Sequence, residues 1–309
     1  MGLRGLNIGV SGLLSSKAAL ETTGHNIANA NTEGYHRQRI NQQARTPFDA
    51  GTYVMGRGVD IGEISRVIDD FLEEGYREGQ SEFEFYNKKF TVLNQLEFVI
   101  NEMTDEDLSS RIGSFFNSIG DFVNNVEDQS TRVSMIEEGK VLTDEVNRLN
   151  DELVDLIKAA DTEVEFMIDD INTTLREVAE INSQIVKQEN GGVSGKKAND
   201  LRDTRDQLLN ELTKMMGAHI ERQDNGTVSI ATGGSYLVFG DQVFTIETEI
   251  AEDDEFGRSN IVFSSDGDDA EISGGQLGSV LELRDQVLQG YLDEVNEMAG
   301  GLIYEFNKI

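Results

Sequence analysis

The sequence predicts a mainly α protein: a long helical-bundle or coiled-coil domain, a small β-rich subdomain and an N-terminal assembly helix. Three observations carry this. The 309 residues contain a single proline, Pro47, so little interrupts a helix. From Leu142 to Ile185 apolar residues keep helical spacing without a break. Near residues 226–246, short alternating runs sit among glycines, as strands do.

Residues 1–60 form the first unit. Leu3, Leu6, Val10, Leu13, Lys17, Leu20, Gly24 and Ile27 fall at alternating three- and four-residue steps, which gives one apolar seam on a helix. Gly2, Gly5, Gly9, Gly12 and Ser16 repeat at the same steps on another face. A second helix could approach closely there, and each glycine lowers helicity by about 1 kcal/mol. Such a helix is weak alone and orders against partners, so residues 1 to about 30 are expected to be mobile in an isolated monomer. Asn26, Asn29 and Asn31 cluster where the helical pattern stops, and Asn tolerates the left-handed backbone that ends a helix. Thr32, Glu33, Gly34 and Tyr35 then read as a turn into an extended segment.

Residues 61–219 read as a long helical domain. Ile64, Val67, Ile68, Phe71 and Leu72 open a helix running toward about Met103, and Leu108, Ile112, Phe115, Phe116, Ile119 and Phe122 mark a second. Leu142, Val146, Leu149, Leu153, Leu156, Ala160, Val164, Met167, Ile171, Leu175, Val178, Ile181 and Ile185 define a third. That rod of roughly 55 residues would reach about 80 Å, ending at Gly191 and Gly192. A shorter helix uses Leu201, Leu208, Leu209, Leu212 and Met215 and stops at Gly217. Residues 220–274 form the β-rich subdomain. Alternation in Thr227–Ile230 and Val243–Ile246, bounded by Gly226, Gly233, Gly234 and Gly240, marks its strands. Residues 275–309 return to helix through Leu277, Leu281, Leu288, Leu292, Val295, Ala299, Leu302 and Phe306. This stripe reaches Ile309 with no stop signal, as expected of a chain cut within a helix.

Composition removes several functions. There are 58 acidic and 26 basic residues, a net charge of -32 that repels phosphate backbones and anionic lipid, so neither nucleic acid nor membrane is an expected partner. Residues 1–58 differ, with six Lys or Arg against three Asp or Glu, leaving 20 against 55 for the rest. The acidic remainder reads as a solvated surface suited to salt. The N-terminus is neither a cleavable signal peptide nor a membrane span. With no Cys, compartment is open on that ground.

Enzyme signatures are missing, and no cofactor is expected. His25, His36 and His219 are scattered without metal-ligand spacing, the first two reading as polar turn packing. Asp266, Asp268 and Asp269 lack the Glu that completes a calcium loop and read as a solvated acidic turn. Gly233 and Gly234 lead into a strand, not a phosphate-binding helix. No nucleophile elbow occurs.

The string GLLSSKAALETTGHNIANANTEGYHRQR, residues 12–39, is the most specific text. It resembles the N-terminal signature of the bacterial flagellar rod, hook and hook-associated axial family, with Asn26, Ile27, Ala28, Asn29, Asn31, Thr32, Gly34 and Tyr35 in the signature places. Glu33 stands where the family usually has proline. GRGVDIGEISRVIDDFLEEGYR (56–77), AEINSQI (179–185), NDLRDTRDQLLNEL (199–212), NGTVSIATGGSYLVFG (225–240) and the block 274–307 resemble, in order, the hook-associated protein 1 family of the hook-filament junction.

That resemblance implies a structural subunit of the extracellular flagellum, exported unfolded through the flagellar type III route without a cleaved signal peptide. Its implied partners are further copies of itself in a ring, the hook protein, and the next hook-associated protein toward the filament. It also implies a continuation through further β structure to a C-terminal helix coaxial with the first, where an export chaperone would bind. A rod or hook subunit is the alternative within the family, disfavoured by the long helical pair and the RDQLLNEL block. From a different class, an independent helical signalling or adhesion module would self-associate through residues 130–190 without needing residues 1–35.

Overall fold

The computed structural model describes residues 2–49, 51–100, 108–190, 197–251, 254 and 256–308, with backbone only for residues 2–4. The chain opens with helix α1, Gly2–Ala28. Strand β1, Gln38–Ala44, then pairs antiparallel with β4, Val59–Arg66, in a register running from Gln38 opposite Arg66 to Ala44 opposite Val59. A two-residue ladder of β2, Phe48–Asp49, with β3, Val54–Met55, closes the tip of this ribbon.

The ribbon corrects one expectation. Ile64 lies in β4, and Val67 and Ile68 belong to the connection, so the next helix starts later than the apolar spacing suggested. The β-branched residues Val59, Ile61 and Ile64 suit a pleated strand, and pairing with β1 overrides the local helical period. Helix α2, Asp70–Ile100, begins where Asp69 Oδ1 accepts the N–H groups of Phe71 (3.2 Å) and Leu72 (3.3 Å), an N-cap. Its expected end near Met103 lies outside the described residues.

Helix α3, Leu108–Asn124, pairs with the N-terminal half of α4, Gln129–Asn190. At 62 residues α4 is longer than its apolar pattern alone implied, and it spans about 93 Å. Leu142, Leu149, Leu153, Ala160, Val164, Ile171, Leu175, Val178 and Ile185 are buried as expected, but Ile157 and Ile168 are the buried members in place of their neighbours Leu156 and Met167. The core contacts on α4 lie one residue further along at these two positions. The glycines expected to end α4, Gly191 and Gly192, lie outside the described residues. Helix α5, Asn199–Met216, stops at Gly217 in the left-handed conformation (φ 65°), where a Cβ would strike the backbone of Gly274 at 2.8 Å.

The β-rich part is an antiparallel meander of β5, His219–Arg222, β6, Val228–Thr232, β7, Ser235–Phe239, and β8, Gln242–Val243. A separate pair joins β9, Ile246–Ile250, to β10, Ser259–Phe263. The run Val243–Ile246 is therefore divided: Phe244 N–H still bonds Leu237 in the meander (2.8 Å), whereas the Thr245 carbonyl accepts from Ser264 (2.9 Å) beside the second pair. The chain changes sheets there. Helix α6, Gly275–Glu282, continues through a π-helical turn, Leu283–Leu288, into α7, Gln289–Asn307, which returns along α2 and α4. Strand β4 crosses residue 60 and β5 starts at His219.

One large core joins the C-terminal half of α4 to α5, the meander, β9, β10 and α6; a smaller one unites Leu96, Leu149, Leu153, Ile157, Leu288 and Leu292. Two buried asparagines of α4 fasten the β part to it. Asn182 Nδ2 donates to the carbonyls of Val228 (2.9 Å) and Gly240 (2.7 Å), and its Oδ1 accepts from Val228 N–H (3.1 Å) and Arg205 Nη1 (3.0 Å). Asn172 grips Ile246 in the same way, donating to its carbonyl (2.7 Å) and accepting its N–H (3.1 Å).

Every polar site of the Asn182 amide is used, so Asn182→Ala strands several buried groups at once. It is expected to cost about 3 kcal/mol, and Asn172→Ala about 2 kcal/mol. Urea unfolding measures both, and a loss below about 0.5 kcal/mol for Asn182→Ala would show that the amide is not a fastening.

Candidate assembly site

Helix α1 inverts the usual amphipathic arrangement. Its buried positions are Ser11, Ser15 and Thr22, whereas Leu6, Val10, Leu13, Leu20 and Ile27 are exposed, Leu13 by 69% and Leu20 by 74%. The small residues face the ribbon. Ser11 Oγ donates to the carbonyl of Ile8 (2.8 Å) and accepts the Val59 N–H (3.2 Å), while Thr22 Oγ1 donates to the carbonyl of Ala18 (2.9 Å). Gly58, at φ 95°, allows this approach: a Cβ there would lie 2.1 Å from Ser11 Oγ. Among the described residues, the seam leucines thus meet no core. Added Cβ atoms at Gly5, Gly9 and Gly12 would meet nothing within 4 Å, so the glycine face receives no helix among the described residues. The Leu3 side chain lies outside the described part.

The signature turn is a hydrogen-bonded unit at the end of α1. Asn26 Oδ1 accepts from the Tyr35 hydroxyl (2.7 Å) and the Gln38 N–H (2.8 Å), while its Nδ2 donates to the Gln38 carbonyl (2.9 Å). Asn29 Nδ2 donates to the carbonyl of His25 (3.1 Å), and its Oδ1 accepts from Thr32 Oγ1 (3.3 Å). The Tyr35 ring stands edge-on to His25 at 5.4 Å. Gly34 takes φ 72°, where a Cβ would sit 2.4 Å from Gln207, whose Nε2 donates to the carbonyl of Glu33. Asn31 is exposed at the tip of the turn. Asn26, Asn29, Thr32, Gly34 and Tyr35 are therefore brought together, and the seam is carried on the same helix.

The surface that receives this turn is α5. Asp203 accepts from the His36 N–H (3.2 Å), from His36 Nδ1 (2.8 Å) and from Arg66 Nη1 (2.8 Å); the same nitrogen reaches Asp206 at 2.7 Å. Asp200 accepts from Gln38 Nε2 (2.8 Å) and lies 3.3 Å from His25 Nε2, while Asn199 donates to the Ile64 carbonyl (2.8 Å). Burial opposes the charge on Arg66, but Asp206 and Asp203 outweigh it and hold the guanidinium pKa above its usual value. Burial, with Asp200 and Asp203 adding, raises the Tyr35 hydroxyl. On the other side of α5, burial lowers Arg205 to about 10, with Asp206 resisting. Nothing local in the sequence marks this receiving face. Asp200, Asp203 and Asp206 recur every third residue, which sets them on one helix face, but an acidic row on a helix ordinarily faces water.

His25 and His36 serve the turn, and His219 is exposed on β5. Among the described residues no three His, Asp or Glu side chains gather as a metal site, and no helix is long and apolar enough to cross a membrane. Asp266 accepts the Asp268 N–H (3.3 Å) within an exposed turn.

Fold and site together define a mainly helical chain, with a small β part, that carries an apolar helix outside its own core. The chain belongs to the family described as flagellar hook-associated protein FlgK helical domain, which matches residues 93–309. Residues 6–36 also match the flagella basal body rod protein family. Flagellar hook-associated protein 1 of Bacillus subtilis is 31% identical over 235 residues, covering 74% of this chain and 46% of that protein. Its counterpart in Escherichia coli is 27% identical over 310 residues, covering 98% of this chain and 56% of that protein. This chain thus spans about half the length of the curated relatives it matches. The flagellar hook junction protein FlgK from Burkholderia pseudomallei has a similar fold, with a TM-score of 0.61 at 20% identity over 69% of this chain and 39% of that one.

If the turn is fixed by α5, loosening either side should unfasten it. Gly34→Ala forces a left-handed alanine, at roughly 1–2 kcal/mol, and displaces Gln207. Arg66→Ala leaves Asp203 and Asp206 facing each other without their shared cation, at about 3–5 kcal/mol. Amide exchange should accelerate across residues 26–40 in both variants while the C-terminal half of α4 stays protected. Unchanged exchange in both would mean that α5 does not hold the turn.

Proposed function

We propose that this chain is a structural, non-catalytic subunit of the bacterial flagellum that contributes to the junction between hook and filament by helix-mediated assembly. The observation that carries the reading is the α1 seam: Leu6, Val10, Leu13, Leu20 and Ile27 are exposed together while the opposite side of the helix is spent on the ribbon. A row of exposed leucines is unfavourable in water unless another surface covers it. Membership of the hook-associated family supports the same use. In this reading the seam packs against other copies and neighbouring axial subunits, and the turn of Asn26, Asn29, Asn31, Thr32, Gly34 and Tyr35 sets its angle. The partners are further copies of the chain, the hook protein and the next hook-associated protein toward the filament. An export chaperone binds a region beyond these residues. The subunit works outside the cell after export without a cleaved signal peptide, and needs no cofactor. The units divide as 1–60 for assembly, 61–219 and 275–309 for the helical domain, and 220–274 for the β-rich part.

Leu13→Asp and Leu20→Asp test this. A carboxylate at either place stays hydrated in the monomer but must be desolvated, at several kcal/mol, when partners pack. Circular dichroism of the isolated protein should hardly change. In the flagellar setting, with each substitution made in the full reading frame, electron micrographs should show hooks without filaments. Filaments and motility equal to the parent would overturn the reading.

A further inference from the structure

We propose that copies of this chain meet head to tail, the groove between α1 and the β2–β3 ribbon of one copy receiving the aromatic, glutamate-edged face of α2 of the next. This rests on the self-assembly reading above and names a second contact, which borders the leucine seam at Val10 and otherwise uses different residues.

The groove holds about 630 Å³ and is lined by Val10, Leu14, Phe48 and Met55, with Arg45 and Arg57 beside them. All four apolar side chains are exposed. Arg57 has no carboxylate partner among the described residues, and Arg45 has only an exposed contact with Asp60 at 3.4 Å. The groove therefore offers an apolar floor and available positive charge. It lies in the segment where six basic residues outnumber three acidic ones, whereas the rest of the chain carries 55 acidic against 20 basic. An acidic partner is favoured, and this chain's own remainder is one.

The complementary face is on α2. Tyr76, Phe83 and Phe90 recur every seventh residue, which sets them along one line of the helix, and Tyr86 lies one turn from both Phe83 and Phe90. All four are exposed, Phe83 by 62% and Phe90 by 65%. Single exposed aromatics are ordinary, but a row of four over about four turns is a surface left uncovered among the described residues. Exposed Glu78 and Glu82 share a surface with Tyr86. Apolar surface thus lies beside negative charge on α2 and beside positive charge in the groove. Because the two faces are different patches of one chain, the contact is heterologous, so it repeats from copy to copy and yields a ring or a helical row.

The chain has no Cys, so introduced thiols report cleanly. Met55→Cys and Phe83→Cys, prepared as separate proteins, are mixed and mildly oxidised, with Phe239→Cys as an exposed control site. Mixed M55C–F83C dimers should form at least tenfold faster than M55C–F239C dimers. Arg57→Glu should slow them about tenfold, and a partner carrying Glu82→Lys should restore the rate. Equal rates with the control, or dominant M55C–M55C dimers, would overturn the proposal. So would rapid intramolecular closure in a chain carrying both thiols, since the two faces would then meet within one copy. If Leu13→Asp and Leu20→Asp abolish filaments while Arg57→Glu neither slows coupling nor affects filaments, the seam reading stands and this one falls.

Discussion

The structure depends on side-chain amides that stand in for a strand partner. Three times an asparagine on a helix takes both backbone groups of one β residue: Asn26 grips Gln38, Asn172 grips Ile246 and Asn182 grips Val228. Asparagine suits this because its amide presents a donor and an acceptor side by side, as a peptide unit does. Helices have no free backbone groups along their sides, so without such residues α1 and α4 could meet the strands only through apolar contact and single side-chain bonds such as Ser11 with Val59 and Asp161 with Ser259. The grip adds direction. It fixes which strand residue faces which turn of the helix, and that register decides where the rest of each β element lands.

The three clamps differ in surroundings, and so in strength. Asn182 is fully buried and backed by Arg205, which also donates to the Gly226 carbonyl at 2.7 Å. In low dielectric those bonds are strong and cannot be exchanged for water. Asn26 is only half-buried, at the end of a helix whose leucines face solvent. The resulting gradient runs from a locked junction between α4 and the meander to a looser one between α1 and the ribbon. Elements that must rearrange against partners belong at the loose end.

Charge follows the same division. A chain of net charge -32 has few cations, yet Arg205 and Arg284 are buried and the Arg66 side chain is only 5% exposed. Arg284 joins Asp161 on α4 to the Ser259 carbonyl of β10, Arg66 joins the ribbon to α5, and Arg205 supports the clamp at Asn182. Each sits where two elements of different kind meet, and each holds acceptors that burial would otherwise leave bare. Much of the acidic excess is then left at the surface, where repulsion opposes indiscriminate association of the helical part. The first unit, with its excess of basic residues, does not share that repulsion.

What the sequence could convey follows from how local each cause is. The α4 rod was legible because its burial repeats over many turns, and Gly217 because a left-handed stop is a single-residue property. Ile64 misled because helix and strand both accept a short apolar run, and only β1, some 20 residues upstream, decides between them. The signature turn was legible as text, but its function as a joint was not: Asp203 is joined to His36 across 167 residues, and nothing near either residue announces the other. The inverted polarity of α1 lies between these cases. Its leucine spacing is plain in the sequence, but a leucine stripe normally marks the inward side. Only the contact of Ser11 with Val59 and Gly58 shows that the inward side is the one with hydroxyls, and that the leucines face away from the ribbon.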